Sequence, residues 1–139
     1  MIMDQVSVFV ENKPGALSEI TAQLAEAGID LKAFTVADTA EFGILRFLSD
    51  APKKALALLK SGGWVASLTP VVAVKMEDKP GSLAKVLKLF ADAAVQVEYM
   101  YAFVASEEGQ AYVVFRVEDP DSATTLLESS GAVTVASLD

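Results

Sequence analysis

Val6, Val8 and Val10 alternate with Ser7 and Phe9, the period of a half-buried strand. Asn12-Lys13-Pro14-Gly15 stops that run, because proline cannot donate to a sheet ladder but suits the first turn of a helix. Beyond it, Leu17, Ile20, Leu24 and Ala27 recur at helical spacing, and Gly28 is the expected C-terminal cap. Alternation resumes at Ile29, Leu31, Ala33 and Thr35. A loop is expected over 38–43 and a third strand over 44–48. Asp50, with Pro52 just inside, should open a second helix that runs to Lys60 and closes at Gly62-Gly63. A fourth strand is expected over 64–68.

The same order then returns. The segment ENKPGALSEI begins at Glu11, and EDKPGSLAKV begins 66 residues later at Glu77. Leu83, Val86, Leu87, Phe90 and Ala94 form the second helical stripe, and Val95, Val97, Tyr99 and Tyr101 the next alternating run. Gly109 answers Gly43 at the same offset. Ala123 answers Ala55, and Leu127 answers Leu59, at an offset of 68, so the second hairpin should be two residues longer, around 106–109. Asp119-Pro120 opens the last helix, Gly131 ends it, and a closing strand is expected over 132–136.

A period near half the chain length indicates a duplicated supersecondary unit. Each half reads β-α-β-β-α-β, so the expected class is α+β: two ferredoxin-like units, each a four-stranded antiparallel sheet of order 4-1-3-2 with both helices on one face. The expected domains are 1–69 and 70–139, and Thr69-Pro70 joins them without a flexible linker, which should hold them rigidly together. Phe9, Ile44, Leu48, Tyr112 and Val114 fall on the face away from the helices, where a one-sided sheet carries polar residues. That face is therefore expected to be covered, by a second copy or by folding the two sheets together.

Composition narrows the chemistry. The chain has neither Cys nor His, which removes disulfides, thiolate nucleophiles, zinc-thiolate sites and the commonest general base. No cofactor or metal is expected. The net charge of −8 and the lack of a basic stripe disfavour nucleic acid and anionic membrane surfaces as partners. No apolar run approaches the roughly 20 residues of a membrane span, and Met1-Ile2-Met3-Asp4 does not start a signal peptide, so a cytoplasmic location is expected.

The repeated turn carries a resemblance. Asn12-Lys13-Pro14-Gly15-Ala16-Leu17 and Asp78-Lys79-Pro80-Gly81-Ser82-Leu83 each sit between a Val-rich strand and a helix ending in Ala27-Gly28-Ile29 or Ala93-Ala94-Val95. In this the chain resembles tandem ACT-domain proteins, over almost its whole length, and is similar to stand-alone proteins likened to acetolactate synthase regulatory subunits. The resemblance implies amino-acid sensing and allosteric regulation of a metabolic enzyme, without catalysis. It also implies a pocket between the first helix and a neighbouring module's second strand. The candidate walls are Phe34, Thr35 and Val36 in one half, and Tyr99, Met100 and Tyr101 in the other. Ala94 departs from the pattern where the first copy has Gly28, at a helix end rather than at the turn.

The turn itself suits an amino-acid carboxylate. A helix N-terminus presents unsatisfied N–H donors and partial positive charge. Pro14 and Pro80 donate nothing, so the anion should meet the N–H groups of Gly15, Ala16 and Leu17, or of Gly81, Ser82 and Leu83. Asn12 and Asp78 are placed to accept from the ligand ammonium, Asp78 with a full charge. Ser82 adds a hydroxyl that Ala16 lacks, and Lys13 and Lys79 sit at the tips. A homodimer is expected. The competing reading is a protein-interaction module that binds an enzyme through its apolar sheet face, with no ligand. An enzyme is disfavoured, because no residues stand at catalytic spacing.

Overall fold

The computed structural model describes residues 1–38, 42–105 and 107–138. In chain order the elements are β1 (Met3–Glu11), α1 (Ala16–Glu26), β2 (Leu31–Asp38), β3 (Phe42–Ser49), α2 (Pro52–Ser61) and β4 (Val65–Glu77). They continue as α3 (Ser82–Asp92), β5 (Val97–Val104), β6 (Gln110–Val117), α4 (Pro120–Ser129) and β7 (Val133–Val135). The chain forms two compact units, one of Asp4–Thr69 and one of Pro70–Asp139 together with Met1–Met3.

In the Asp4–Thr69 unit the strands follow the order β2-β3-β1-β4. β1 and β3 run antiparallel with Val8 opposite Leu45 and Val6 opposite Phe47. The valine alternation puts Val6, Val8 and Val10 on one face with Leu45 and Phe47, and there they meet Ile20 and Leu24 of α1 and Ala55 and Leu59 of α2. The helical residues recur every three or four positions, so one stripe of each helix is buried.

The second unit repeats this arrangement with the order β7-β4-β6-β5. Val72 and Val74 pair with Phe115 and Val113, and this face packs on Val86 and Phe90 of α3 and on Ala123 and Leu127 of α4. Both units are thus ferredoxin-like, with the strand order 4-1-3-2 that the pattern of elements implies.

Three details differ from the sequence expectations. The fourth strand of the first unit does not stop at 68: β4 is a single strand of 13 residues that runs through Pro70. Pro70 lacks an N–H, but its carbonyl is used, accepting from Arg116 Nη1 at 2.9 Å. Helix α2 is capped at Ala51 rather than Asp50, with no side-chain cap bond; Ser49 Oγ accepts from the Ala51 N–H at 3.0 Å instead. The strands also overrun their expected ends, as pairing extends β3 to Phe42 and Ser49.

The hairpin lengths agree with the change of offset. Residues 39–41 connect β2 to β3, and residues 105–109 connect β5 to β6. The expected first loop at 38–43 and Ser106 of the second lie partly outside the described residues.

The sheet face away from the helices is unevenly exposed. Leu48, Val71, Ala73, Tyr112 and Val114 are buried, and Phe103 stacks on Tyr112 with centroids 5.3 Å apart. Phe9 remains exposed.

Candidate functional site

Each repeated turn is built by three residue types. Pro14 pre-sets its own φ, and Gly15 takes φ 87°, ψ −14°, the left-handed geometry of the third position of a type II turn. The turn closes with the Ala16 N–H donating to the Lys13 carbonyl at 3.4 Å. Gly81 repeats the geometry at φ 96°, ψ −18°, and the Ser82 N–H donates to the Lys79 carbonyl at 3.3 Å. Left-handed φ values of this size strain any residue with a Cβ, so glycine is required at both positions.

These closures correct part of the expected donor set. The amides of Ala16 and Ser82 are consumed by the turn itself. Those of Gly15 and Leu17, and of Gly81 and Leu83, have no protein acceptor among the described residues. Neither helix has a side-chain cap at this end. The N-termini of α1 and α3 therefore each keep backbone donors that the protein's described residues do not satisfy.

The charged residues around the turns form exposed local pairs. Lys13 Nζ lies 3.4 Å from Glu11 Oε2, and Lys79 Nζ lies 2.6 Å from Glu77 Oε2. The hydrogen bond from Lys79 holds the Glu77 carboxyl below its ordinary range. The Asp78 N–H donates to the Gly109 carbonyl at 2.8 Å, which ties the turn to the β5–β6 hairpin, and Gly109 itself has a φ of 78°, a geometry that favours glycine.

The first turn has a small cavity of about 50 Å³ lined by Asn12, Lys13 and Leu17, with Val10, Glu11, Val36 and Gly43. Three of the expected residues thus meet one of the expected walls, Val36 of β2. Phe34 and Thr35 do not line it, because successive strand residues point to opposite faces or further along the edge. Phe34 is 64% exposed, and Met100, its counterpart 66 residues on, is 43% exposed. Tyr99 and Tyr101 are half-buried on β5. Gly43 and Val10 were not foreseen as lining residues, although the recurrence of Gly43 as Gly109 marked the position. At the second turn Ser82 lines a different cavity, on the side of α3 that faces β4.

A family model described as an ACT domain pair matches residues 1–134. The chain belongs to that family. ACT domains are regulatory, amino-acid-binding modules. This ACT pair is similar to the crystal structure of protein BT0572 from Bacteroides thetaiotaomicron, with 38% identity, a TM-score of 0.92, and coverage of 98% of this chain and 93% of that one. It also shares its fold with the ligand-free regulatory subunit of aspartate kinase from Thermus thermophilus, at 20% identity and a TM-score of 0.67, covering 91% of each chain. No curated protein matches the sequence. Among the described residues, no helix of the ACT pair is long and apolar enough to cross a membrane, and no cluster of acidic side chains could hold a metal ion.

Proposed function

We propose that this ACT pair binds a free amino acid at its strand-to-helix turns and regulates a metabolic enzyme without catalysing a reaction itself. The observation that carries the reading is the first turn, where the N–H groups of Gly15 and Leu17 have no protein acceptor among the described residues and Leu17 lines a cavity with Asn12, Lys13 and Val36. The amides and the helix end would take the carboxylate, and Asn12, or Asp78 in the second copy, would take the ammonium. The likeness to an aspartate kinase regulatory subunit supports a regulatory role for this fold.

Magnitude demands a further element. A helix end supplies roughly 0.3–2 kcal/mol, whereas micromolar binding needs about 8 kcal/mol. A cavity of about 50 Å³ is well below the usual range for ligand pockets. A second copy of the chain is the proposed cover, which makes the working form a homodimer. Its contact would use the edge strands β2 and β5, where Phe34 and Met100 are exposed at matching positions. Docking of another protein on the sheet face is the weaker reading, since Val114 at the centre of that face is 0% exposed.

The test is a thermal-shift panel of the common amino acids at millimolar concentration, followed by calorimetry on Asn12→Ala and Asp78→Ala. A ligand that raises Tm, and binds at least about tenfold more weakly to one of these variants, supports the reading. A panel that moves nothing rejects it for this protein.

A further inference from the structure

The two units share a backbone at their last turn but fill it differently. The Gly63 N–H donates to the Lys60 carbonyl at 3.1 Å, and the Trp64 N–H to the Leu59 carbonyl at 3.0 Å. Sixty-eight residues on, Gly131 donates to Glu128 at 3.1 Å and Ala132 to Leu127 at 3.0 Å. Gly63 and Gly131 have φ of 87° and 89°. Trp64 and Ala132 therefore occupy equivalent places.

In the first unit that place is filled by an indole. Trp64 packs against the core, and its Nε1–H donates to Gln23 Oε1 at 3.3 Å. A Cβ on Gly62 would come within 2.9 Å of the same Gln23 oxygen, so glycine there leaves room for the amide. In the second unit all three positions change together: Gln23 becomes Leu89, Gly62 becomes Ser130 and Trp64 becomes Ala132. The side chain that would fill the space is gone, and a cavity of about 350 Å³ stands there. That is within the range of small-molecule pockets.

The lining identifies the ligand chemistry. Val86, Leu89, Met76 and Ala132 supply an apolar floor, and Ser82, Lys85 and Lys75 supply polar groups. Lys75 is paired with Glu107. The Ser82 hydroxyl has no protein partner among the described residues. No Asp or Glu lines the cavity and two lysines do, so a carboxylate finds opposite charge there whereas an ammonium group meets like charge and no anionic partner. We propose that this cavity is a second ligand site, distinct from the turn, for a flat apolar carboxylate without an amino group. The ring system takes the place that the Trp64 indole holds in the first unit, and the carboxylate meets Lys85 and Ser82.

The proposal does not depend on amino-acid binding at the turns, and its probe is different. The full chain is titrated by calorimetry and by ligand-observed NMR with indole-3-acetate, neutral indole and tryptophan. Indole-3-acetate should bind one site per chain, about tenfold more tightly than either of the others. Lys85→Gln, at an exposed position, should weaken it about tenfold, and Ala132→Trp should abolish binding. Should Ala132→Trp fail to fold, the triple variant Leu89→Gln, Ser130→Gly, Ala132→Trp rebuilds the set that the first unit already accommodates. Unchanged affinity in a folded filled variant, no binding of indole-3-acetate at about 5 mM, or equal affinity for tryptophan would each overturn the proposal.

Discussion

Phe90 meets Phe115 edge to face, with ring centroids 5.2 Å apart and planes at 90°. Both rings are buried at the centre of the second unit. The counterparts in the first unit are Leu24 and Phe47, also buried, so one copy uses an aromatic pair where the other uses an aliphatic partner. Phe90→Leu should cost about 1 kcal/mol, the value of the edge-to-face contact, whereas Phe90→Ala should cost about 3–5 kcal/mol by leaving a void. Urea unfolding monitored by NMR signals of the second unit distinguishes the two.

The helix starts at Ala51 and Asp119 are equivalent, and only one has a side-chain cap. Asp119 Oδ1 accepts from the Ser122 N–H at 3.1 Å, while Ala51 offers nothing. Asp119→Ala should destabilise by about 1 kcal/mol and Ala51→Asp should stabilise by a similar amount. Both also place or remove an anion at a helix N-terminus, so the difference should shrink in high salt. Thermal melts at two ionic strengths test this.

Ala94 has φ 58°, where the first unit has Gly28 at 73°. A Cβ in the left-handed region costs roughly 1–2 kcal/mol, partly offset because alanine also restricts the unfolded chain. Ala94→Gly is therefore expected to stabilise by about 0.5–1 kcal/mol, and Gly28→Ala to destabilise by about 1 kcal/mol. A fall in Tm for Ala94→Gly would contradict the strain argument.

Glu77 titrates below its ordinary value of 4.5 because Lys79 donates a hydrogen bond to it, with the charge of the same ammonium as a second cause. A carboxyl lowered in the folded state contributes stability above its unfolded value. The contribution is lost as pH falls from about 4.5 through the folded value. Lys79→Met should return the Glu77 midpoint toward 4.5 in a carbon-detected NMR titration. The variant's stability should then vary less with pH in that acid window.

Much of this architecture is readable from residue order. The valine alternation, the Pro-Gly turns and the glycine stops each act through neighbours in sequence, so the element order, the duplication and the lengthened hairpin follow directly. What escapes such reading depends on contacts between distant residues. Pro70 looks like punctuation, yet β4 continues through it, and its carbonyl is taken by the Arg116 side chain. Asp50 looks like a cap, yet the helix begins one residue later, and the Ser49 hydroxyl takes the Ala51 amide. At the turns the residue types were legible, but the loss of the Ala16 and Ser82 amides to ring closure was not. The cavity beside Ala132 was invisible for a related reason. An alanine in a sequence looks unremarkable until its counterpart is seen to be a tryptophan.

The paired helices keep their bounds at fixed offsets, 66 residues from α1 to α3 and 68 from α2 to α4. Each half is consequently a parts catalogue for the other, and segments can be exchanged in frame wherever both ends of the graft lie on the same side of the hairpin. An exchange that spans the hairpin gains or loses two surface residues, which a loop absorbs. The same two-residue slip inside a helix would turn its apolar stripe by about 200° and point it at water.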